Sequence, residues 1–513
     1  MYPGYYSNQA PERPAVTVAE SGERMSYGDL ERRSRRLARV FLQQGLQPGE
    51  RLALLLTNRV EFMVAAWAGL RVGLRVVPVN RYLSVSEVAY ILDNSDARVL
   101  ISCQELQRVA VELPAVVPRV ERFFMIGTDC PGFESLDAVI DSGGDAALES
   151  EPLGEFMCYT SGSTGAPKGP LWPLSGRSAT DGYLDPGVAV MGFGGESRML
   201  VSTPLYHSAS LMFAMMPFTT GGSLVITERF DALSVLRYIE RYRISHAYFV
   251  PTMFARMLSL PERARRDFDS SSLRFVVHLA EPCPVEIKRR MIEWWGPVIF
   301  ESYGISECHE HTWIDSHEWL TRPSSVGRGV GCRIHVLDEF GRTVPAGTVG
   351  QVHIESPTAA SVWYHKDPQK TALAHTAAGW FATGDMGYLD PAGYLHLKDR
   401  QHFMIISCGI NIYPREVENV LLGHGRVADA AVFGLPDPDL GERVVAVIAP
   451  RDAADATAAL EQELSAYCLQ RLARFKCPLQ FFFLDELPRL PTGKIYKQRL
   501  RERFGGAPAP LIS

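Results

Sequence analysis

The sequence contains no Cys-x-x-Cys pair, no apolar run long enough to cross a bilayer and little net charge, its acidic and basic residues being mixed along the whole length. Its nine cysteines are scattered at positions 103, 130, 158, 283, 308, 332, 408, 468 and 477. An odd, unclustered set argues against a disulfide framework or a zinc site and points to a reducing cytoplasm. Lysine and arginine total 52 against 58 aspartates and glutamates, a net charge of -6 spread along the chain. That leaves no basic stripe, so no nucleic-acid partner is expected. Met1-Tyr-Pro-Gly-Tyr5 lacks the basic-then-apolar pattern of a secretory signal. Stretches such as Phe62 to Leu70 are far too short to span a bilayer, so no stable membrane insertion is expected. The Walker A spacing GxxxxGK[ST] is also missing.

What is present is an ordinary globular composition, 46% hydrophobic and 21% charged, over 513 residues. A chain this long exceeds one hydrophobic core and divides into two or more domains. Helical periodicity from Tyr27 to Gln44 and Val60 to Arg71 alternates with compact strands at 51–55, 76–79 and 97–102. The alternation resumes with strands at 199–202, 223–227, 247–250, 275–278 and 298–301 and helices at 233–243 and 285–295. This pattern predicts an α/β fold built on parallel βαβ sheets. After about residue 325, short strands with turn signals predict a β-rich subdomain. A polar connector, Lys398-Asp-Arg-Gln-His402, then leads into a smaller α+β unit. The expected division is an N-terminal domain at 1–399, a C-terminal domain at 404–505 and a flexible tail at 506–513.

The strongest chemical signal is Tyr159-Thr-Ser-Gly-Ser-Thr-Gly-Ala-Pro-Lys-Gly169. Gly162, Gly165 and Gly169 let the backbone approach an anion and expose its N–H groups. Thr160, Ser161, Ser163 and Thr164 add hydroxyl donors, and Lys168 adds a mobile positive charge. A flexible linker would have no need of this ordered pattern ending in Pro-Lys-Gly. Phosphate binding is the reading adopted.

This loop resembles the signature of the adenylate-forming superfamily, which includes acyl-CoA synthetases, peptide-synthetase adenylation domains and luciferases. Further segments resemble that superfamily in order and spacing: Tyr303-Gly-Ile-Ser-Glu307, Thr383-Gly-Asp385, Lys398-Asp-Arg400, Ser407-Cys-Gly-Ile-Asn411 with Pro414-Arg-Glu416, and Pro491-Thr-Gly-Lys494. The resemblance implies ATP and Mg²⁺ as cofactors and a small, mobile C-terminal domain.

It also implies roles. Glu307 would hold Mg²⁺, a hard cation that favours carboxylate oxygen. Tyr303 would stack on adenine, with Gly304 and Ser306 beside it, Asp385 would accept from the ribose hydroxyls, and Arg400 would reach ribose or phosphate. Lys494 would stabilise the charge on the α-phosphate as pyrophosphate leaves. His207, in Pro204-Leu-Tyr-His207, matches a position that gates the acyl pocket. Lys494, His207, Glu307 and Thr160 form the catalytic set so implied. A hinge at 400–403 pivots on His402.

The middle of the chain resembles bacterial fatty-acid-type acyl-CoA synthetases in Phe249-Val-Pro-Thr-Met-Phe254, in Cys283 to Pro297 and in Phe403-Met-Ile-Ile406. The implied reaction joins an acid to CoA, releasing AMP and pyrophosphate, in an enzyme that is a monomer or homodimer. Three departures complicate that expectation. Glu281 stands where relatives carry a small residue beside adenine and the acyl pocket; it is a candidate both for nucleotide contact and for holding a cation or an amino group. Cys308, His309 and His311 follow the Tyr303–Glu307 motif where a fatty-acid pocket would be small or apolar. Cys408 replaces the first glycine of the usual Ser-Gly-Gly, on the pantetheine tunnel. These features favour a small or polar acid. They also keep open an alternative, an ATP-dependent diazotase that adenylates nitrite and passes it to an aryl amine without CoA, or another non-CoA acyl transfer. A catalytically retired binding protein is disfavoured by the intact Lys168, Glu307, Asp385, Arg400 and Lys494.

Overall fold

The computed structural model describes residues 2–159, 167–181, 188, 191–281, 283–400, 404–407, 410–437, 440–472, 474–489 and 495–505, with backbone alone at 399, 400, 406, 410 and 411. Thr160 to Gly165, His402, Cys408 and Lys494 therefore lie outside the described residues.

Residues before 160 build a six-stranded, all-parallel sheet whose central strands are Arg51–Leu55, Arg75–Pro78 and Ala97–Cys103. The strands are near-continuous Val/Leu/Ile runs, as a sheet covered on both faces requires. Helix Val60–Leu70 is apolar all round and almost wholly buried, which makes it a central packing element rather than a surface helix. Helix Tyr27–Gln43 packs against it through the buried Tyr27, Leu30, Leu37 and Phe41, at helical spacing. Ser26 caps its first turn by accepting from the Asp29 N–H.

A second, larger sheet has a parallel centre, with Arg24–Ser26 antiparallel at one edge and a longer antiparallel part at the other. Strands Pro14–Val18, Ser223–Ile226, Arg198–Val201, His246–Phe249, Phe275–His278 and Ile299–Tyr303 lie side by side in parallel. From Ile299–Tyr303 onward every pairing is antiparallel, through His311–Ile314 to the 325–400 region. The β-rich part expected after residue 325 is thus continuous with the parallel sheet. The switch falls at the strand leading into Tyr303-Gly-Ile-Ser-Glu307, and in open α/β sheets ligands gather beyond the carboxyl ends of parallel strands.

Past residue 404, a five-stranded sheet carries the smaller unit, its long hairpin formed by Val427–Asp437 and Gly441–Pro450. Side chains alternate between two cores: Val432, Ala446 and Ile448 face Leu464 of helix Ala458–Leu469, while Ala431, Val445 and Val447 face Leu500 of helix Lys497–Phe504.

Candidate active site

Four expected or newly found site residues sit just past the ends of four adjacent parallel strands. His207 follows Arg198–Val201, Thr252 follows His246–Phe249, Glu281 follows Phe275–His278, and Tyr303 closes Ile299–Tyr303. Adjacency in the sheet, not in sequence, brings them to one edge.

The Tyr303 hydroxyl donates to Asp385 Oδ2 at 2.6 Å. Asp385 lies mid-strand in Phe381–Leu389, is only 7% exposed, and stands opposite Arg400 in antiparallel register. The strand ladder therefore holds Thr383-Gly-Asp385 and Lys398-Asp-Arg400 together. Gly304 is obligatory for a packing reason: a Cβ there would meet Nδ1 of His311 at 1.8 Å. Ser306 shares a hydroxyl hydrogen bond with Ser208 at 2.8 Å, which ties the motif to the helix that His207 caps.

Lys168 and Glu307 meet through a residue that sequence reading did not single out. Tyr364 donates to Glu307 Oε1 at 2.8 Å, and the Lys168 ammonium lies 5.0 Å from the centre of the same ring. A short ladder explains the meeting: Trp363–Tyr364 pairs antiparallel with Pro170–Leu171, and the His365 N–H donates to the Gly169 carbonyl at 3.0 Å. Burial and the neighbouring Glu307 push the Tyr364 hydroxyl up, so it stays protonated and donates. Lys168 is held below the ordinary lysine value, first by burial and then by the nearby Lys370, with Glu307 acting against them. Asp367 acts in the same sense as Glu307 and pairs with Lys370 at 3.8 Å, so the two lysines and two carboxylates balance in charge. Glu307, half-buried and with one carboxylate oxygen engaged by Tyr364, has the donor chemistry a Mg²⁺ ion takes.

Burial leaves two of the candidate histidines uncharged. Burial lowers His207 to about 4, and its Nε2 is enclosed with no partner among the described residues. His311 is likewise lowered to about 4 by burial. Both are neutral imidazoles at neutral pH.

Glu281 finds its partner inside the chain. Thr252 donates to Glu281 Oε2 from its hydroxyl at 2.7 Å and from its backbone N–H at 3.3 Å, at the start of helix Pro251–Leu258. A carboxylate at a helix N-terminus is favoured by the exposed N–H groups and the helix dipole. Thr252 thus engages one carboxylate oxygen, Oε2. Just before it, Ala280 adopts φ +73°, a conformation L side chains rarely take, so the turn into Glu281 is strained.

Cys308 and His309 turn away from the strand ends. Cys308 is packed in an apolar cluster with Trp172, Ile354 and Phe381, and burial pushes its thiol up. His309 lies against Trp172 with ring centres 4.5 Å apart. Among the described residues no group of three or more His, Cys, Asp or Glu side chains is placed to hold a metal ion. Sequence reading also passed over Thr252 and Arg489, although Arg489 stands two residues before the recognised Pro491-Thr-Gly-Lys494.

Residues 6–364 match the family described as AMP-binding enzyme, and residues 416–494 match the AMP-binding enzyme C-terminal domain. The chain is 33% identical over 494 residues to a feruloyl-CoA synthase of an Amycolatopsis species, covering 96% of each. It is 30% identical over 502 residues to a sulfoacetate–CoA ligase of Cupriavidus necator, covering 96% of this chain and 95% of the relative. The crystal structure of ATP-bound MatB from Rhodopseudomonas palustris superposes with a TM-score of 0.84 at 26% identity, covering 99% of each chain. These two relatives are named for carboxylic acids and CoA, a third, 31% identical over 517 residues, is a fatty acid–[acyl-carrier-protein] ligase of Streptomyces coeruleorubidus, and the nitrite alternative finds no support among them.

Proposed function

The chain belongs to the AMP-binding enzyme family and is an adenylate-forming acid–thiol ligase; from that premise we propose that its substrate is a small or polar carboxylic acid, which it activates with ATP and passes to CoA. The observation that carries the reading is the joining of Lys168 and Glu307 by Tyr364, beside the Tyr303–Asp385 pair.

In the first half-reaction an oxygen of the substrate carboxylate attacks the α-phosphorus of ATP. The bond to the bridging oxygen breaks, and pyrophosphate leaves. Lys168, with the 160–169 loop, holds the departing phosphates, and Lys494 stabilises charge on the α-phosphate. Asp385 and Arg400 orient the ribose, and Tyr303 supports the adenine with Gly304 and Ser306 beside it. Mg²⁺, when bound, would be held by Glu307 and would screen phosphate charge. In the second half-reaction the thiolate of CoA attacks the acyl carbon and AMP leaves. Domain rotation between the two uses residues 400–403, with His402 as pivot between 1–399 and 404–505. The interval 365–415 between the two family matches supports a junction there.

A polar substrate is supported by the neutral imidazoles of His207 and His311 near the strand ends. They offer hydrogen bonds without a fixed cation. Relatives are named for sulfoacetate and feruloyl groups and others, at 31% identity, for long-chain fatty acids, so the polar preference rests on this chain's own residues. A reducing, cytoplasmic setting accords with the odd, scattered set of nine cysteines. No described helix is long and apolar enough to cross a membrane. We take the working unit to be a monomer or homodimer.

The test is AMP release over a panel of carboxylic acids, with and without CoA, alongside nitrite plus aryl amines. CoA-dependent turnover with a short polar acid is expected. Release that needs nitrite and amine but ignores CoA would overturn the assignment.

A further inference from the structure

Thr252 does more than cap Glu281. Arg489, from the C-terminal unit, reaches across the seam and donates through Nη1 to the Thr252 hydroxyl oxygen at 3.2 Å. Its Nη2 donates to Asp429 Oδ2 at 2.5 Å, within its own unit. A hydroxyl has one proton to give and lone pairs to receive, so Thr252 can donate to Glu281 and accept from Arg489 at once. The result is an unbroken path, Asp429–Arg489–Thr252–Glu281, from the hairpin strand Val427–Asp437 to the edge of the candidate pocket. The guanidinium fork suits this task because its geometry serves two partners in different directions.

The backbone of Arg489 matters equally. Arg489 pairs with Ile495 in an isolated antiparallel bridge, and the Tyr496 N–H donates to the Pro488 carbonyl at 2.8 Å. These bonds close the base of the segment that carries Pro491-Thr-Gly-Lys494, and Lys494 is the chain neighbour of Ile495. One residue therefore ties the base of that segment and grips the strand-end of the opposite domain. Neither Thr252 nor Glu281 needs to touch a reacting atom for this to matter, because a small displacement of a charge-stabilising group costs about 100-fold in rate.

We propose that Arg489 is a positioning residue for adenylation: by bridging Asp429 to Thr252, and through Thr252 to Glu281, it registers the base of the Lys494 segment against the acid pocket. The proposal rests on the reading of Lys494 as the adenylation lysine. It assigns Glu281 a structural reason for replacing a small residue, namely that it completes the far end of the bridge.

The test uses the full-length enzyme, ATP, labelled pyrophosphate and the acid giving the highest turnover in the panel above. Arg489→Ala should slow ATP–pyrophosphate exchange about 10- to 100-fold in kcat while leaving KM for ATP within about threefold. Thr252→Val should slow it in the same way, Thr252→Ser should restore it, and the double variant should be no slower than Arg489→Ala alone. Conversion of a synthetic acyl-adenylate and CoA to thioester should be unchanged in all of them. Additive losses, equal slowing of both half-reactions, or normal exchange in both single variants would each overturn the proposal. Lys494→Ala run in parallel separates the two ideas. Normal exchange in that variant, with non-additive slowing in the other two, removes the lysine's role and leaves the bridge standing as a seam contact. Amide hydrogen exchange of the substrate-free enzyme gives a readout that needs no acid: Arg489→Ala should raise exchange at residues 252 and 495–496, and unchanged protection there would overturn the bridge.

Discussion

The hydroxyl of Tyr303 and the carboxylate of Asp385, 82 residues apart in sequence, are joined at 2.6 Å. A charge-assisted hydrogen bond of this length orients the carboxylate as well as the ring. Tyr303→Phe keeps the ring and removes only the donor. It should raise KM for ATP about fivefold, matching a net loss near 1 kcal/mol, with little change in kcat. Asp385→Asn should cost more, because it removes the acceptor itself. Initial rates across ATP concentrations check both, and equal losses in the two variants would argue against separate roles.

Tyr364 and Glu307 invite a comparable comparison. Glu307→Gln should sharply raise the Mg²⁺ concentration needed for half-maximal AMP release. Tyr364→Phe should produce a shift in the same direction but smaller, within the 10- to 100-fold range typical when a partner of a metal ligand is lost. A Mg²⁺ titration of both variants decides. Unchanged Mg²⁺ dependence in Glu307→Gln would remove that carboxylate from the metal site.

Lys168 carries a pH signature. Burial, helped by Lys370, holds its pKa below the ordinary lysine value of 10.5. The protonated form, which attracts phosphate, is therefore lost earlier than usual as pH rises. The alkaline limb of kcat/KM for ATP, which reports the free enzyme, should fall below that ordinary value. Lys168→Arg, whose guanidinium stays charged, should move the limb upward while lowering the maximum. A limb that does not move with this substitution belongs to another group.

Much of this architecture could be read from residue order. The runs at 51–55, 275–278 and 285–295 became strands and a helix with the same bounds, because β-branched runs and apolar residues at helical spacing leave few alternatives. The motifs of Tyr303, Asp385 and Lys168 stood out for a related reason: each sits in a short run whose glycines and spacing are themselves informative. Tyr364, Thr252 and Arg489 were not. Each gains its meaning from a partner more than 50 residues distant, Glu307, Arg489 and Thr252 respectively, and nothing local marks it. The Thr252–Glu281 contact was hidden for the same reason, since only the sheet order brings that helix N-terminus close to Glu281.

Buried histidines make the fold sensitive to mild acid. Burial lowers His246 to about 4 and His278 to about 3, against an ordinary 6.5. Below 6.5 the unfolded chain takes up protons at these positions while the folded chain does not. Protonation therefore favours unfolding, and stability should fall as pH drops from 6.5 toward 4, by up to about 1.4 kcal/mol per unit for each histidine. Urea midpoints at pH 7, 6 and 5 measure the fall, and His246→Gln should flatten the slope. A midpoint independent of pH over that interval would contradict it.

The buried pair Lys288–Glu301 ties helix Val285–Trp295 to the strand that ends in Tyr303. Lys288 is fully enclosed, donates to Glu301 Oε2 at 2.8 Å, and lies 4.6 Å from the centre of the Trp319 ring. Glu301 is two residues before Tyr303 and, like it, belongs to the strand where the sheet turns antiparallel. Removing either charge leaves the other buried without its hydrogen-bonded counter-charge. Lys288→Met or Glu301→Gln should each cost about 3–5 kcal/mol in urea unfolding. Replacing both, with Lys288→Met and Glu301→Met, should recover most of that loss, because an apolar pair of similar volume needs no solvation. The double variant then separates stability from function. If the ion pair only fills space, ATP binding returns with the fold. If it also sets the register of Tyr303, KM for ATP stays raised in a protein that is otherwise stable.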